Sequence, residues 1–168
     1  MLTRLKGCLV ILACIIFVSG CDINGIVTSL LDQSDKTNDT EKINVDYVID
    51  GDTFVSDDEK YRLLLVDTPE TVHPDKGVQP YGKEASNFTK NALEGQTVEI
   101  AYDVEKKDPY GRNLVYVYKN NHSFNETLLK EGYAKVVVFK PNTKYASKYK
   151  KIEQEAQSHN KGMWKYQR

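Results

Sequence analysis

From residue 45 onward the pattern of apolar and polar positions changes period several times, and those changes mark out the elements. Val45-Asp46-Tyr47-Val48-Ile49 comes close to the two-residue alternation of a half-buried strand. Thr53-Phe54-Val55 predicts a second strand and residues 61–66 a third, with Asp57-Asp58-Glu59 as the turn between them. A long loop over 71–80 leads to a helix over about 81–93, ended by Gly95. Residues 97–102 and 114–118 read as two further strands, and Asn120-Asn121 as a turn. Ser123-Phe124-Asn125-Glu126 has the spacing of a capping box, opening a short helix that Gly132 stops. A last helix over about 146–159 carries Tyr149, Ile152 and Ala156 on one face, and Trp164 docks the tail behind it. Five short strands with helices between and after them predict an α+β domain whose sheet closes into a small barrel of the OB type. Pattern alone fits another small α+β sheet equally well.

One stretch breaks the logic of a purely structural strand: Arg62-Leu63-Leu64-Leu65-Val66-Asp67-Thr68-Pro69-Glu70. Core packing explains its middle and not its charged ends. Side chains alternate along a strand, so Arg62 and Asp67 share one site only if the strand bulges or ends early. Thr68-Pro69 is the expected break, since proline cannot donate to a ladder and Glu70 then leaves the sheet beside Asp67.

Upstream of the domain the pattern is of another kind. Arg4 and Lys6 precede an apolar run from Cys8 to Val18, the layout of a secretory signal. It closes in Val18-Ser19-Gly20-Cys21, which resembles a bacterial lipobox, so Cys21 is expected to be lipidated and to become the mature N-terminus, with acyl chains holding it to the membrane. Residues 1–21 are thus read as a lipoprotein signal, 22–43 as a flexible polar tether and 44–168 as the folded domain. The other cysteines, Cys8 and Cys14, fall inside the signal. That leaves no thiol for a disulfide, a zinc site or a nucleophile in the domain. The formal net charge of −1 gives no global field for an anionic polymer, although the C-terminal part is rich in lysine.

Charges otherwise gather at strand ends and turns: Asp50-Gly51-Asp52-Thr53, the Arg62 to Glu70 segment, and Asp108-Pro109-Tyr110-Gly111-Arg112. Asp-Gly is also a common turn signal, so the first carries weight only beside the others. Carboxylates at Asp52 and Asp67 form a hard-oxygen set suited to Ca²⁺, and arginines at two places supply what a phosphate needs.

In their order, Asp-Gly-Asp-Thr, Arg-Leu-Leu-Leu-Val-Asp-Thr-Pro-Glu-Thr, His-Pro, Lys-Gly-Val, Tyr-Gly-Arg, Lys-Pro-Asn and Trp make the region from about Val45 to Trp164 resemble the thermonuclease (staphylococcal nuclease) family. The resemblance implies a five-stranded OB-fold barrel with three helices and Ca²⁺-dependent hydrolysis of DNA and RNA to 3′-phosphorylated products. Asp52 and Asp67 match its calcium carboxylates, Thr68 a residue giving its backbone carbonyl, and Asp50 a nearby acid behind them. Glu70 matches the proposed general base, and Arg62 and Arg112 the pair that grips the scissile phosphate. Tyr110 matches a tyrosine contacting a terminal phosphate, while Pro109 replaces a commonly basic residue. Where the family often has two tyrosines before Lys-Pro-Asn, this chain has Val136-Val137-Val138-Phe139-Lys140, which leaves Phe139 as the stacking surface. Lys76, after His73-Pro74, is the loop residue expected to touch substrate. The expected protein is a monomeric nuclease on the outer face of the membrane. The alternative from another class is a non-catalytic OB module that binds single-stranded nucleic acid.

Overall fold

The computed structural model describes residues 39–71 and 79–166. The signal segment with Cys21, the tether up to residue 38, and the loop positions His73 and Lys76 lie outside the described residues.

Strand pairing begins at Glu41, earlier than the boundary at 44 that the sequence suggests. β1 (Glu41–Asn44) and β2 (Tyr47–Asp50) are the two halves of one bent segment. At the bend, Val45 donates its N–H to Gln96 O and accepts from Gly95 N–H, while Asp46 N–H donates to Val55 O. β2 pairs with β3 (Thr53–Ser56), which turns through Asp57 and Asp58, both at positive φ, into β4 (Glu59–Leu63). Consecutive left-handed residues give a hairpin turn that follows the right-handed twist of its strands.

β4 stops at Leu63, so the third strand is shorter than predicted, and the break lies at Leu64-Leu65 rather than at Thr68-Pro69. Leu65 takes φ 62°, after which β5 (Val66–Asp67) starts afresh. Buried Asn125 secures the break: its Nδ2 donates to Leu64 O at 2.9 Å and its Oδ1 accepts from Val117 N–H at 2.9 Å. Leu64 N–H reaches Val115 O and Val137 N–H reaches Leu65 O, so the interrupted ladder stays satisfied.

Helix α1 (Gly82–Leu93) follows, then β6 (Thr97–Lys107) and β7 (Asn113–Lys119), which form a longer hairpin than predicted and carry residues 108–112 at its tip. Asn120 and Asn121, again at positive φ, turn the chain into β8 (His122–Ser123). Ser123 caps α2 (Phe124–Lys130) by accepting from Glu126 N–H, as the capping box predicts. β9 (Lys135–Val136) pairs with β5, and α3 (Ala146–Ser158) buries Tyr149, Ile152 and Ala156 as expected. Tyr149 meets Tyr116 edge-on and stacks beside Tyr145, fastening α3 to β7. A 3-10 turn (Gly162–Tyr166) ends the described chain.

Along the main sheet the order is β1-β6-β7-β4-β3-β2, with β4 and β7 parallel. Because its first and last members are halves of one strand, the path returns on itself: this is the small OB barrel with three α-helices. Its core runs through Val45, Phe54, Leu63, Val98, Ile100, Val115 and Val117 to Leu128 and Leu129 of α2.

Candidate active site

The early end of β4 brings the two ends of the Arg62 to Glu70 segment together. Arg62 on β4 places Nη1 2.7 Å from Asp52 Oδ1 and Nη2 2.8 Å from Asp67 Oδ1, so one guanidinium ties two carboxylates from different turns. Asp52 is only 4% exposed and fully engaged, accepting also from the Thr53 hydroxyl and from Thr68 N–H. Burial pushes its carboxyl above the ordinary range, and Arg62 with these hydrogen bonds offsets only part of that. The second oxygen of Asp67 faces Lys135 Nζ at 3.2 Å.

Two glycines set where Thr68 to Glu70 can lie. A Cβ on Gly51 would stand 2.7 Å from Thr68 Oγ1, and one on Gly82 would stand 2.5 Å from Glu70 O. Neither position admits a larger residue without moving this loop. Gln79 ties the loop further, donating its N–H to Glu70 O and accepting Glu70 N–H on Oε1. Glu70 is thereby held beside Asp50, with which it shares a hydrogen bond. Burial, that bond and the charges of Asp50, Asp52 and Asp67 together raise its carboxyl above the ordinary glutamate range. Asp50 in turn accepts from Gly51 N–H and the Thr71 hydroxyl.

Arg112 reaches the same place from the β6–β7 hairpin. It shares with Arg62 a cavity of about 380 Å³, along whose wall Tyr110 and Phe139 also stand. Asp108 holds it, accepting Arg112 Nε–H at 2.7 Å on one oxygen and Arg112 N–H on the other. Burial works to raise the Asp108 carboxyl, but the bonds and charge from Arg112 outweigh it and hold it below the ordinary range. Tyr110, 86% exposed, lies under the Arg112 guanidinium, and Phe139 is 71% exposed. Both are open faces at the mouth of the cleft.

The predicted residues Asp50, Asp52, Arg62, Asp67, Thr68, Glu70 and Arg112 thus form one cluster, with Tyr110 and Phe139 at its rim. Lys76 and Cys21 fall outside the described residues. Sequence reasoning gave no role to Asp108, Thr53, Gln79 or Lys135. The i,i+4 spacing of Asp108 and Arg112 is the one local signal among them. Of the lysine-rich C-terminal part, Lys148 and Lys150 pair with the buried carboxylates of Glu126 and Glu153.

Among the described residues no group of three or more histidine, cysteine, aspartate or glutamate side chains is placed to hold a metal ion. What the site offers is a donor set made of oxygen alone: two carboxylates and Thr68, whose buried Oγ1 has no hydrogen-bond partner. Those donors fit a hard cation that completes its shell with water and substrate oxygens.

The family model "Staphylococcal nuclease homologue" matches residues 60–166. The chain belongs to the staphylococcal nuclease family. It is 47% identical over 121 residues to a thermonuclease of Staphylococcus hyicus, covering 70% of this chain and 72% of that protein. Against a thermonuclease of Staphylococcus intermedius the identity is 48% over 128 residues, covering 74% and 76%. It is also similar to the SPbeta prophage-derived endonuclease YokF of Bacillus subtilis (strain 168), 43% identical over 128 residues, which is 73% of this chain and 43% of that one. Arg62, Asp67, Thr68, Glu70 and Arg112 lie inside the matched region, and Asp50 and Asp52 lie before it.

Proposed function

We propose that the chain is a calcium-dependent nuclease of low sequence selectivity, cutting DNA and RNA internally to leave 3′-phosphorylated ends. The observation that carries this reading is the convergence of Arg62, Asp52, Asp67 and Glu70, with both aspartates held in a single guanidinium's grip and the Glu70 carboxyl raised by burial and by its acidic neighbours. Family membership and nuclease-named relatives support the reaction class.

Asp52, Asp67 and the Thr68 carbonyl would hold calcium, which when bound supplies Lewis-acid polarisation of a phosphate oxygen. The chain's own groups do the rest. A carboxylate raised toward neutrality suits a base, so Glu70 takes a proton from the attacking water as its oxygen bonds to phosphorus. The bond from phosphorus to the 5′-oxygen breaks, and that oxygen is protonated from solvent. Arg112 neutralises charge on the equatorial oxygens from the position that Asp108 fixes. A guanidinium carries five N–H donors, and the carboxylates take only one on each Nη of Arg62, so donors remain there for a phosphate.

Purified protein incubated with denatured DNA tests the reading. Cleavage is expected with calcium and not with excess chelator, and Glu70→Ala is expected to lose about a hundredfold or more in rate. Binding without cleavage under every condition would instead favour the non-catalytic OB module. For location, we propose that Cys21 is lipidated and holds the enzyme on the outer face of the membrane. Cys21→Ser should then move the protein from the membrane fraction to the medium, and unchanged fractionation would rule the lipid anchor out.

A further inference from the structure

One carboxylate takes no part in the chemistry above and yet lies deep in the fold. Glu153 on α3 is 2% exposed, with Oε2 paired to Lys150 and Oε1 accepting the Val136 N–H at 2.8 Å. That N–H belongs to β9, which forms with β5 a separate sheet of two strands, two residues from each. In an antiparallel pair, successive N–H groups point to opposite sides of the strand. Val137 sends its N–H across to Leu65 O, so the Val136 N–H points out of this small sheet, and Glu153 meets it there. The carboxylate stands where a third strand would.

We infer that Glu153 is a positioning residue for the metal site, holding Asp67 in place from α3 by way of β9. The inference rests on the calcium reading and deepens it. A pair of two-residue strands has little stability of its own, so its register depends on what grips its edges. Asp67 stands directly opposite Lys135, the residue before Val136, and takes its ammonium at 3.2 Å on one oxygen while Arg62 holds the other. Whatever displaces β9 therefore disturbs a backbone contact and a side-chain contact of Asp67 together. Packing alone gives α3 no use for a charge at this position. A buried carboxylate costs free energy that an apolar residue of the same size would not, whereas only an acceptor satisfies the edge N–H of β9.

Amide NMR of the calcium-free protein, continued through a calcium titration, separates this role from a general loss of stability, because both are read on folded protein well below its melting temperature. Glu153→Gln keeps the acceptor, Glu153→Leu removes it, and Glu153→Asp withdraws it by one methylene. The leucine and aspartate variants are expected to shift the amide signals of Val66 and Asp67 before calcium is added. They should also weaken calcium binding about tenfold, the loss typical of a group that orients a metal ligand, with the glutamine variant within about twofold of the parent. The two disruptive changes cover each other should one not fold. A folded leucine or aspartate variant that binds calcium as the parent does would overturn the inference. So would a glutamine variant as weak as the leucine one, which would place the effect in the charge paired with Lys150. A parent that binds no calcium would overturn the calcium reading itself, and the inference with it.

Discussion

Glu70 and Asp108 are carboxylates of one site pushed in opposite directions, and the contrast divides the chemistry between them. Asp108 is held low by Arg112 and stays ionised as a clamp. Glu70, raised by burial and by its acidic neighbours, is the group suited to accept a proton. That assignment has a thermodynamic sign. Because folding raises its pKa, the fold favours neutral Glu70; the stability linked to the neutral form is complete at low pH and is lost as pH rises through the raised value. Glu70→Gln should therefore melt higher than the parent at neutral pH in chelator, with the gap closing as pH falls below the ordinary glutamate range. Thermal denaturation over a pH series measures this. A variant that melts lower at neutral pH would mean that the ionised carboxylate stabilises the fold.

At the scale of elements the decisive feature is the break between β4 and β5. It is held by a side chain from α2, since Asn125 serves both Leu64 O and Val117 N–H. Removing it orphans two buried backbone groups, so Asn125→Ala is expected to cost about 3 kcal/mol, read as a lower denaturant midpoint with little change in slope. A loss below about 0.5 kcal/mol would show that the break is self-supporting. This break is also the clearest limit of the sequence pattern. Leu63, Leu64, Leu65 and Val66 are all buried, so a run of apolar residues looks the same whether it is one strand or two. β1 was equally hidden, because only Ile43 of its four residues is buried and its polar surroundings read as tether. By contrast, Asp52, Arg62, Asp67, Glu70 and Arg112 were legible as charges at turns and strand ends, where a purely structural strand has no use for them. Lys135 was not legible, for its pairing with Asp67 arises only when β9 folds back onto β5.

For the molecule as a whole, the site depends on which strands neighbour one another around the barrel's ring. Asp52, from the β2–β3 turn, meets Arg62 across the β3–β4 hairpin, and the parallel pairing of β4 with β7 brings Arg112 from a distant part of the chain beside them. Cysteines contribute nothing to that ring, as all three lie at or before residue 21. The bent segment of β1 and β2 presents two strand edges, each four residues long. On β2 the Val48 N–H is already taken by the Glu94 carboxylate, and β1 shows water the charged side chains of Glu41 and Lys42. On these two edges a neighbouring copy thus finds little backbone to add a strand to. For an enzyme held on a membrane, as proposed above, edges occupied in this way give a neighbouring copy less to pair with.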